Sequence, residues 1–429
     1  MLIEFRVKNH RSIRDEQVLS LEAGRISSEG DPRPRHIPNC QDKLLPVVGI
    51  YGANASGKSN VLAAMAYMKE AVSLSHRFWS PDEGTPRDPF AWGLKRDEPS
   101  MYEVEMIIDG VRYQYGFILN DEVFLEEWIY AWPNGHKQTW LEREGSNFKF
   151  GEHLKGENKV IEELTRPNAL YLSAAAQLRH AQLSPLFSWF GSIQAYNLAV
   201  HTSTRRFTSS RYRSEAELAQ MLGESADYRQ TTLFDDQQSD SILDQFKSLL
   251  RSADIGIVDL RINREESPAR NPRSRQFELK HQSESDDAWL SLDQESRGTK
   301  TLFQLGLPIL RAIQRGGLLI VDELEASLHP ILAELIVKQF NDPTINGRNA
   351  QLIFSTHDTN LLGTLFGDPV LRRDQIWLTE KDPSGATELY PLTDFKPRKD
   401  ENIERGYIQG RYGAIPFLGG FRVAGGGER

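Results

Sequence analysis

The sequence is poor in several things, and each scarcity removes a class of protein. Cys40 is the only cysteine among 429 residues, so no disulfide framework can form within one chain, and a reducing, cytoplasmic setting is expected. No stretch approaches the roughly 18 apolar residues that a membrane-spanning helix needs. The apolar run Leu318 to Val321 is only strand-sized. Basic residues are not in excess: 51 Lys and Arg stand against 60 Asp and Glu, for a net charge of −9. Nucleic acid could therefore be met only by a local patch. Glu4 and Arg6 interrupt the first apolar residues, so the N-terminus does not read as a signal peptide. Internal repeats and sustained heptads are lacking, which argues against a solenoid or a long coiled-coil arm. No Cys/His cluster has zinc-site spacing.

What is present points to a soluble α/β protein. Leu2, Ile3, Phe5 and Val7 set up a strand, and Val18, Leu19 and Leu21 a second; 25–43 is a Gly/Pro/Ser-rich loop. Val47–Tyr51 is an apolar run before a glycine-rich turn, and Val61, Leu62, Met65 and Met68 then recur at helical spacing. From Tyr102 to about Trp140 the period changes to two, with turns at Asp109-Gly110, Asn120-Asp121 and Asn134-Gly135, the signature of an antiparallel meander. Residues 155–252 read as mainly helical. Strands follow near Ile255–Ile262 and Phe277–Leu279, then a helix from about Thr299 to Gln314 in which Pro308 is expected to kink or shorten the turn. Three units are expected: 1–154, 155–252 and 253–429.

The chemistry concentrates in three places. Gly52-Ala53-Asn54-Ala55-Ser56-Gly57-Lys58-Ser59 satisfies G-x-x-x-x-G-K-[ST] between a strand and a helix. Its backbone N–H groups and the helix N-terminus suit a triphosphate; Lys58 would bridge the β- and γ-phosphates, and Ser59 would ligate Mg²⁺. Leu318-Leu319-Ile320-Val321-Asp322-Glu323 is an apolar strand ending in two acids, where α/β proteins place ligands. Asp322 would hold the Mg²⁺ water shell, and Glu323 would orient or deprotonate the attacking water. Glu325 competes as the base, but helix onset is expected to turn it away. Gln351–Ser355 is a second apolar strand with His357 just past its end.

These elements resemble ABC ATPases of the SMC-like and RecF-like kind. Phe5, Val7, Lys8, Asn9, Arg11 and Ser12 resemble their opening strand, Glu323-Leu324-Glu325-Ala326-Ser327-Leu328-His329-Pro330 their second box, and Ser355-Thr356-His357-Asp358 their histidine switch. The resemblance implies an α/β, ABC-type P-loop NTPase head, with a mixed sheet, an antiparallel β lobe and a mainly helical insert. It implies ATP and Mg²⁺ as cofactors, Lys58, Glu323 and His357 as catalytic groups, and Asn60, Arg11 and Ser12 as further nucleotide contacts. Ser296 and Gly298, just before the helix that leads to Asp322, match the short Ser-x-Gly element that meets the γ-phosphate held by another protomer; a plain helix cap on Ser296 or Thr299 is the alternative. At least a homodimer, and on to a higher oligomer, is then expected. The signature lacks a second glycine, and Gln177 is only a weak glutamine-loop candidate.

Two further stretches, Tyr171–Gln177 and Lys399–Pro416, resemble bacterial defence ATPases of the RloA/AbiLi kind and the PARIS sensor ATPase. That implies abortive infection, a phage-derived trigger and a neighbour-encoded effector, a TOPRIM-type nuclease. The segment after His357 is short for a TOPRIM domain and carries no Asp-x-Asp, so the nuclease is expected in the partner. Asp259 with Glu278-Leu279-Lys280 has a restriction-nuclease look, but reads more simply as a strand pair. Arg205, Arg206, Arg211 and Arg213, and Arg261, Arg264, Arg270, Arg273 and Arg275, form two basic clusters that could meet DNA, a phage protein or a partner subunit. A RecF-like DNA-repair ATPase and an ATP-gated scaffold with little hydrolysis are the rival readings.

Overall fold

A computed structural model describes residues 1–24, 26, 30–198, 236–252, 256–263, 276–285, 287–363, 367–398 and 401–416. In chain order the first half contains β1 Leu2–Lys8, β2 Gln17–Ser20, β3 Val47–Gly52, α1 Lys58–Phe78, β4 Ser100–Ile108, β5 Val111–Leu119, β6 Phe124–Trp132, β7 Gln138–Glu144 and β8 Asn147–Phe150. Then come α2 Asn158–Leu164, α3 Tyr171–Gln177, α4 Ser184–Ser192, β9 Gln194–Tyr196, α5 Asp236–Ser252, β10 Ile257–Asn263, β11 Gln276–His281 and β12 Trp289–Ser291. The last part holds α6 Arg297–Arg315, β13 Leu318–Val321, α7 Pro330–Asn341, β14 Gln351–Ser355, β15 Ile376–Lys381, β16 Thr387–Pro391 and α8 Ile403–Ile408.

Two large sheets carry the fold. The antiparallel one runs β2-β1-β4-β5-β6-β7-β8, and the mixed one runs β16-β15-β3-β14-β13-β9. The expected Asp109-Gly110 hairpin forms: both residues have positive φ, 49° and 76°, and Ile108 pairs with Val111. At the next turn the Asn120 side chain accepts from the backbone N–H of Glu122 and Val123, an Asx turn. In the mixed sheet β9, β13, β14, β3 and β15 are parallel, and only β16 runs against them. Strands β13 and β14 are buried on both faces, which is why they read as unbroken apolar runs.

Strand alternation splits the core in two. Val48, Ile50, Leu318, Ile320 and Ile353 face α1 and the antiparallel sheet. Val47, Leu319, Val321, Leu352 and Phe354 face α5, α6, α7 and the tail. Pro308 does not end α6, which runs unbroken from Arg297 to Arg315 with Pro308 buried inside it; packing of both turns on the second core holds the helix through the proline. The segment expected as a mainly helical insert holds α2, α3, α4 and α5 but also β9 where described, and it is woven into the head. Leu170–Ala175 and Leu186 share the first core with α1, and the segment returns through β9 to the edge of the mixed sheet. Of the basic clusters, Arg205, Arg206, Arg211, Arg213, Arg264, Arg270, Arg273 and Arg275 lie outside the described residues, as do Lys399 and Asp400 of the tail motif. No described helix is long and apolar enough to cross a membrane.

Candidate functional site

The parallel strands bring their carboxyl ends to one side of the mixed sheet, the position where open α/β sheets bind ligands. Strand β3 ends at Gly52 and opens the loop 52–57, after which α1 starts at Lys58. Two glycines are demanded there by space and conformation. Gly52 has φ 156°, and a Cβ on it would lie 2.5 Å from Thr379 O; Gly57 has φ 115°, and a Cβ on it would lie 2.0 Å from Thr387 Oγ1. The loop is braced from below by hydroxyls: Ser56 Oγ meets Thr379 Oγ1 at 2.6 Å, and Thr387 Oγ1 donates to Ser56 O at 2.8 Å.

Lys58 is buried, and its Nζ donates to Gly52 O at 2.9 Å and Ala53 O at 3.0 Å. Burial brings its pKa down to about 8, against the pull of Asp322, Glu325 and Glu323. His357 Nδ1 stands 3.4 Å from the ammonium. Burial first and the Lys58 charge second hold the imidazole below its ordinary value. Ser59 Oγ donates to Asp322 Oδ1 at 3.0 Å, so the last residues of the loop motif and of β13 already touch. Ser355 Oγ also donates to Asp322 Oδ1 and accepts the Glu323 N–H at 2.8 Å. Glu323 itself is exposed with φ 52°, and its charge acts on both Lys58 and His357.

Glu325 differs from expectation. No helix begins beside it, because α7 starts only at Pro330. Its Oε1 instead turns back and accepts the His357 backbone N–H at 2.6 Å. The carboxylate therefore tethers the switch loop to the acidic turn.

Ser12 Oγ accepts from Asn60 Nδ2 at 2.6 Å and meets Thr387 Oγ1 at 2.7 Å, which seats both residues against the loop. Arg11, with φ 49°, bonds Asp88 by its backbone N–H at 2.7 Å and its Nε at 3.2 Å. It lines a recess of about 630 Å³ with Asp88, Pro89 and Arg96. Ser296 caps α6 by accepting the Thr299 N–H at 3.1 Å, and a Cβ on Gly298 would lie 2.9 Å from Ser327 O. The described bonds of Ser296 stay within α6, Gly298 approaches the turn after Glu323, and neither has a described contact with 52–60. Gln177 stands exposed at the end of α3, with no described bond to Ser59 or Asp322.

Asn197 escaped the sequence reading. It follows β9, and its Nδ2 donates to Asp322 O at 3.0 Å. A three-residue strand with no motif gave no signal for it. Thr379 and Thr387 were missed likewise. Asp259 and Glu278 are spent on ion pairs with Lys247 and Arg261, and no cluster of three metal-ligating side chains occurs among the described residues.

The residues fit a magnesium nucleoside triphosphate. The loop is wound so tightly against Thr379 and Thr387 that neither glycine can carry a Cβ, a buried ammonium bonds two of its carbonyls, and a hydroxyl and a carboxylate meet beside it. Three solved structures are similar in outline. An SMC head bound to the C-terminal winged-helix domain of ScpA is 14% identical, with a TM-score of 0.44, covering 91% of this chain and 96% of that one. The SMC head domain from Thermotoga maritima is 12% identical, with a TM-score of 0.38 and 91% and 98% coverage. An SMC head with an extended coiled coil, bound to ScpA derived from Pyrococcus furiosus, is 13% identical, with a TM-score of 0.41 and 92% and 97% coverage. No curated relative matches by sequence. Residues 47–363, from the strand before the phosphate loop to just beyond His357, match the family described as "AAA domain, putative AbiEii toxin, Type IV TA system", and the chain belongs to that family of P-loop ATPases.

Proposed function

We propose that this chain is an ATP-hydrolysing switch of a bacterial abortive-infection system. It senses a phage-derived trigger and controls a separately encoded effector, a TOPRIM-type nuclease. The observation that supports the reading most is the meeting of Lys58, the Ser59–Asp322 pair and His357 at the ends of three adjacent parallel strands. The family's own description as a toxin of a type IV toxin–antitoxin system supports the defence role.

The roles follow from placement. Lys58 would bind the β- and γ-phosphates with a charge already held inside the loop. Ser59 and Asp322 would hold Mg²⁺. The ion, when bound, supplies positive charge against the phosphate oxygens. Exposed Glu323 would orient the attacking water and take its proton. His357, tethered by Glu325, would contact the γ-phosphate. Ser296 and Gly298 make no described contact with 52–60, and they would complete the site of a second copy.

Phosphate release from Mg-ATP tests this directly. Wild type should hydrolyse slowly, and Lys58→Ala should neither bind nor hydrolyse. Normal ATP affinity in Lys58→Ala would sink the assignment. Glu323→Gln tagged at its native locus and purified with ATP and Mg²⁺ should bring down a nuclease; DNA alone in that preparation would favour a repair ATPase.

A further inference from the structure

The tail motif plays no part in the mechanism above, yet it is built against the site. Asn402 caps α8 by accepting the Arg405 N–H at 2.8 Å. The following turn is wound tightly on itself. Gly410 and Gly413 have φ of 74° and 67°, and a Cβ on Gly406 would lie 2.6 Å from the Tyr412 hydroxyl. Tyr412 in turn donates to Glu401 Oε1 at 2.6 Å, and Tyr407 donates to Ala414 O at 3.2 Å. These contacts make 401–416 one compact unit; it is not a loose end.

This unit touches both halves of the phosphate site. On one side, the Tyr407 ring meets Tyr51 edge-on, with centroids 6.0 Å apart, and the Tyr407 hydroxyl lies near the Gly52 backbone. Tyr51 and Gly52 are the last residues of β3 before the loop that carries Lys58. On the other side, Glu404 Oε1 accepts from Thr359 Oγ1 at 3.3 Å, and a Cβ on Gly363 would lie 2.2 Å from Glu404 Oε2. Thr359 lies two residues past His357. A single short helix thus rests on both the phosphate loop and the switch loop, whose functional side chains stand 3.4 Å apart.

The junction is also under-bonded. The Tyr51 hydroxyl, Glu325 Oε2 and Asp358 Oδ2 are buried there without a hydrogen-bond partner among the described residues. Unpaired buried polar groups cost stability, so an arrangement that pairs them is favoured once anything shifts the loops. Close-packed contacts pass such shifts on instead of absorbing them.

We propose that segment 401–416 couples the nucleotide site to the protein surface, with Glu404 and Tyr407 as positioning residues that hold the switch loop against the phosphate loop. The inference rests on the ATP-switch reading. Hydrolysis then changes the strap formed by α8 and its turn.

Hydrogen–deuterium exchange of the full chain, with and without Mg-ATP, tests the coupling. Amides of 401–416 should be protected at least about threefold when ATP binds. Glu404→Gln should keep its Kd for mant-ATP within about threefold while turnover falls at least about tenfold, the split expected of a group that positions and does not bind. Tyr407→Phe, which keeps the ring, should lie between Glu404→Gln and wild type. A phosphate loop protected by ATP beside a tail that does not respond overturns the coupling and leaves the ATP reading intact. Equal loss of affinity and turnover in Glu404→Gln overturns the positioning role. Absence of any mant-ATP binding in wild type overturns both readings together.

Discussion

Lys58 is a charge kept where charge is costly. Two loop carbonyls and three nearby carboxylates offset its burial only in part, so its pKa sits at about 8. A phosphate placed beside it favours the protonated form, so nucleotide binding above that pKa must take up a proton. Affinity should therefore be flat from about pH 6.5 to 7.5 and weaken as pH rises through 8, approaching a tenfold loss per unit at most. Titration of the protein with mant-ATP and Mg²⁺ across pH 6.5 to 9.5 checks this; an affinity that does not change up to pH 9.5 would rule out Lys58 as the titrating phosphate ligand. Glu325 makes a second point at this scale. A carboxylate that read as a spare base proves to be a tether, because the chain stays in a turn until Pro330 and lets the side chain fold back to His357.

At the scale of elements, the N-terminus of α6 poses the sharpest question. Ser296 caps it, and Gly298 lies so close to Ser327 O that no larger residue fits. A cap alone would be satisfied by many residues, whereas the close approach of Ser327 O admits only glycine at 298. If that end serves a second copy, Ser296→Arg and Lys58→Ala chains mixed in equal amounts should recover roughly a quarter of wild-type turnover, because half of the random dimers then hold one intact site. Phosphate release by the mixture, compared with each variant alone, measures it, and no recovery at all would remove the shared-site idea. Elements also mark the limit of what the sequence discloses. Strands β13 and β14 were legible because both faces are buried and each ends in its functional residue. The meander was legible from alternation and from Asp109-Gly110. Strand β9 was not: its three residues are all half-buried and its identity comes from pairing with β13, a partner more than a hundred positions away. Asn197 reaches the site through that pairing, and Thr379 and Thr387 through the pairing of β15 with the distant β3, so no local pattern announces them. The tail motif stood out as a string of residues, but only the contacts of Tyr407 and Glu404 reveal that it lies against the phosphate loop.

For the whole molecule, the distribution of groups is that of half a site. The phosphate-binding side is furnished with Lys58, Ser59, Asp322 and His357, all anchored by bonds within the chain. Glu323, by contrast, is held only at its backbone, in a left-handed conformation that costs a non-glycine residue about 1 kcal/mol or more, and its carboxylate faces outward. Strain spent on pointing an acid at solvent makes sense if something comes to meet it. A second head brought face to face by ATP would do so, with its own Ser296 and Gly298 closing over the γ-phosphate. Removing the Glu323 charge should then hold the closed assembly, because binding is kept while water activation is lost. Sedimentation velocity of Glu323→Gln should show one chain's mass without nucleotide and at least two with Mg-ATP, and Lys58→Ala should remain at the nucleotide-free value throughout. If Glu323→Gln binds ATP yet keeps the same mass with and without it, the strained acid serves a site completed within one chain, and the outward N-terminus of α6 is only a helix cap.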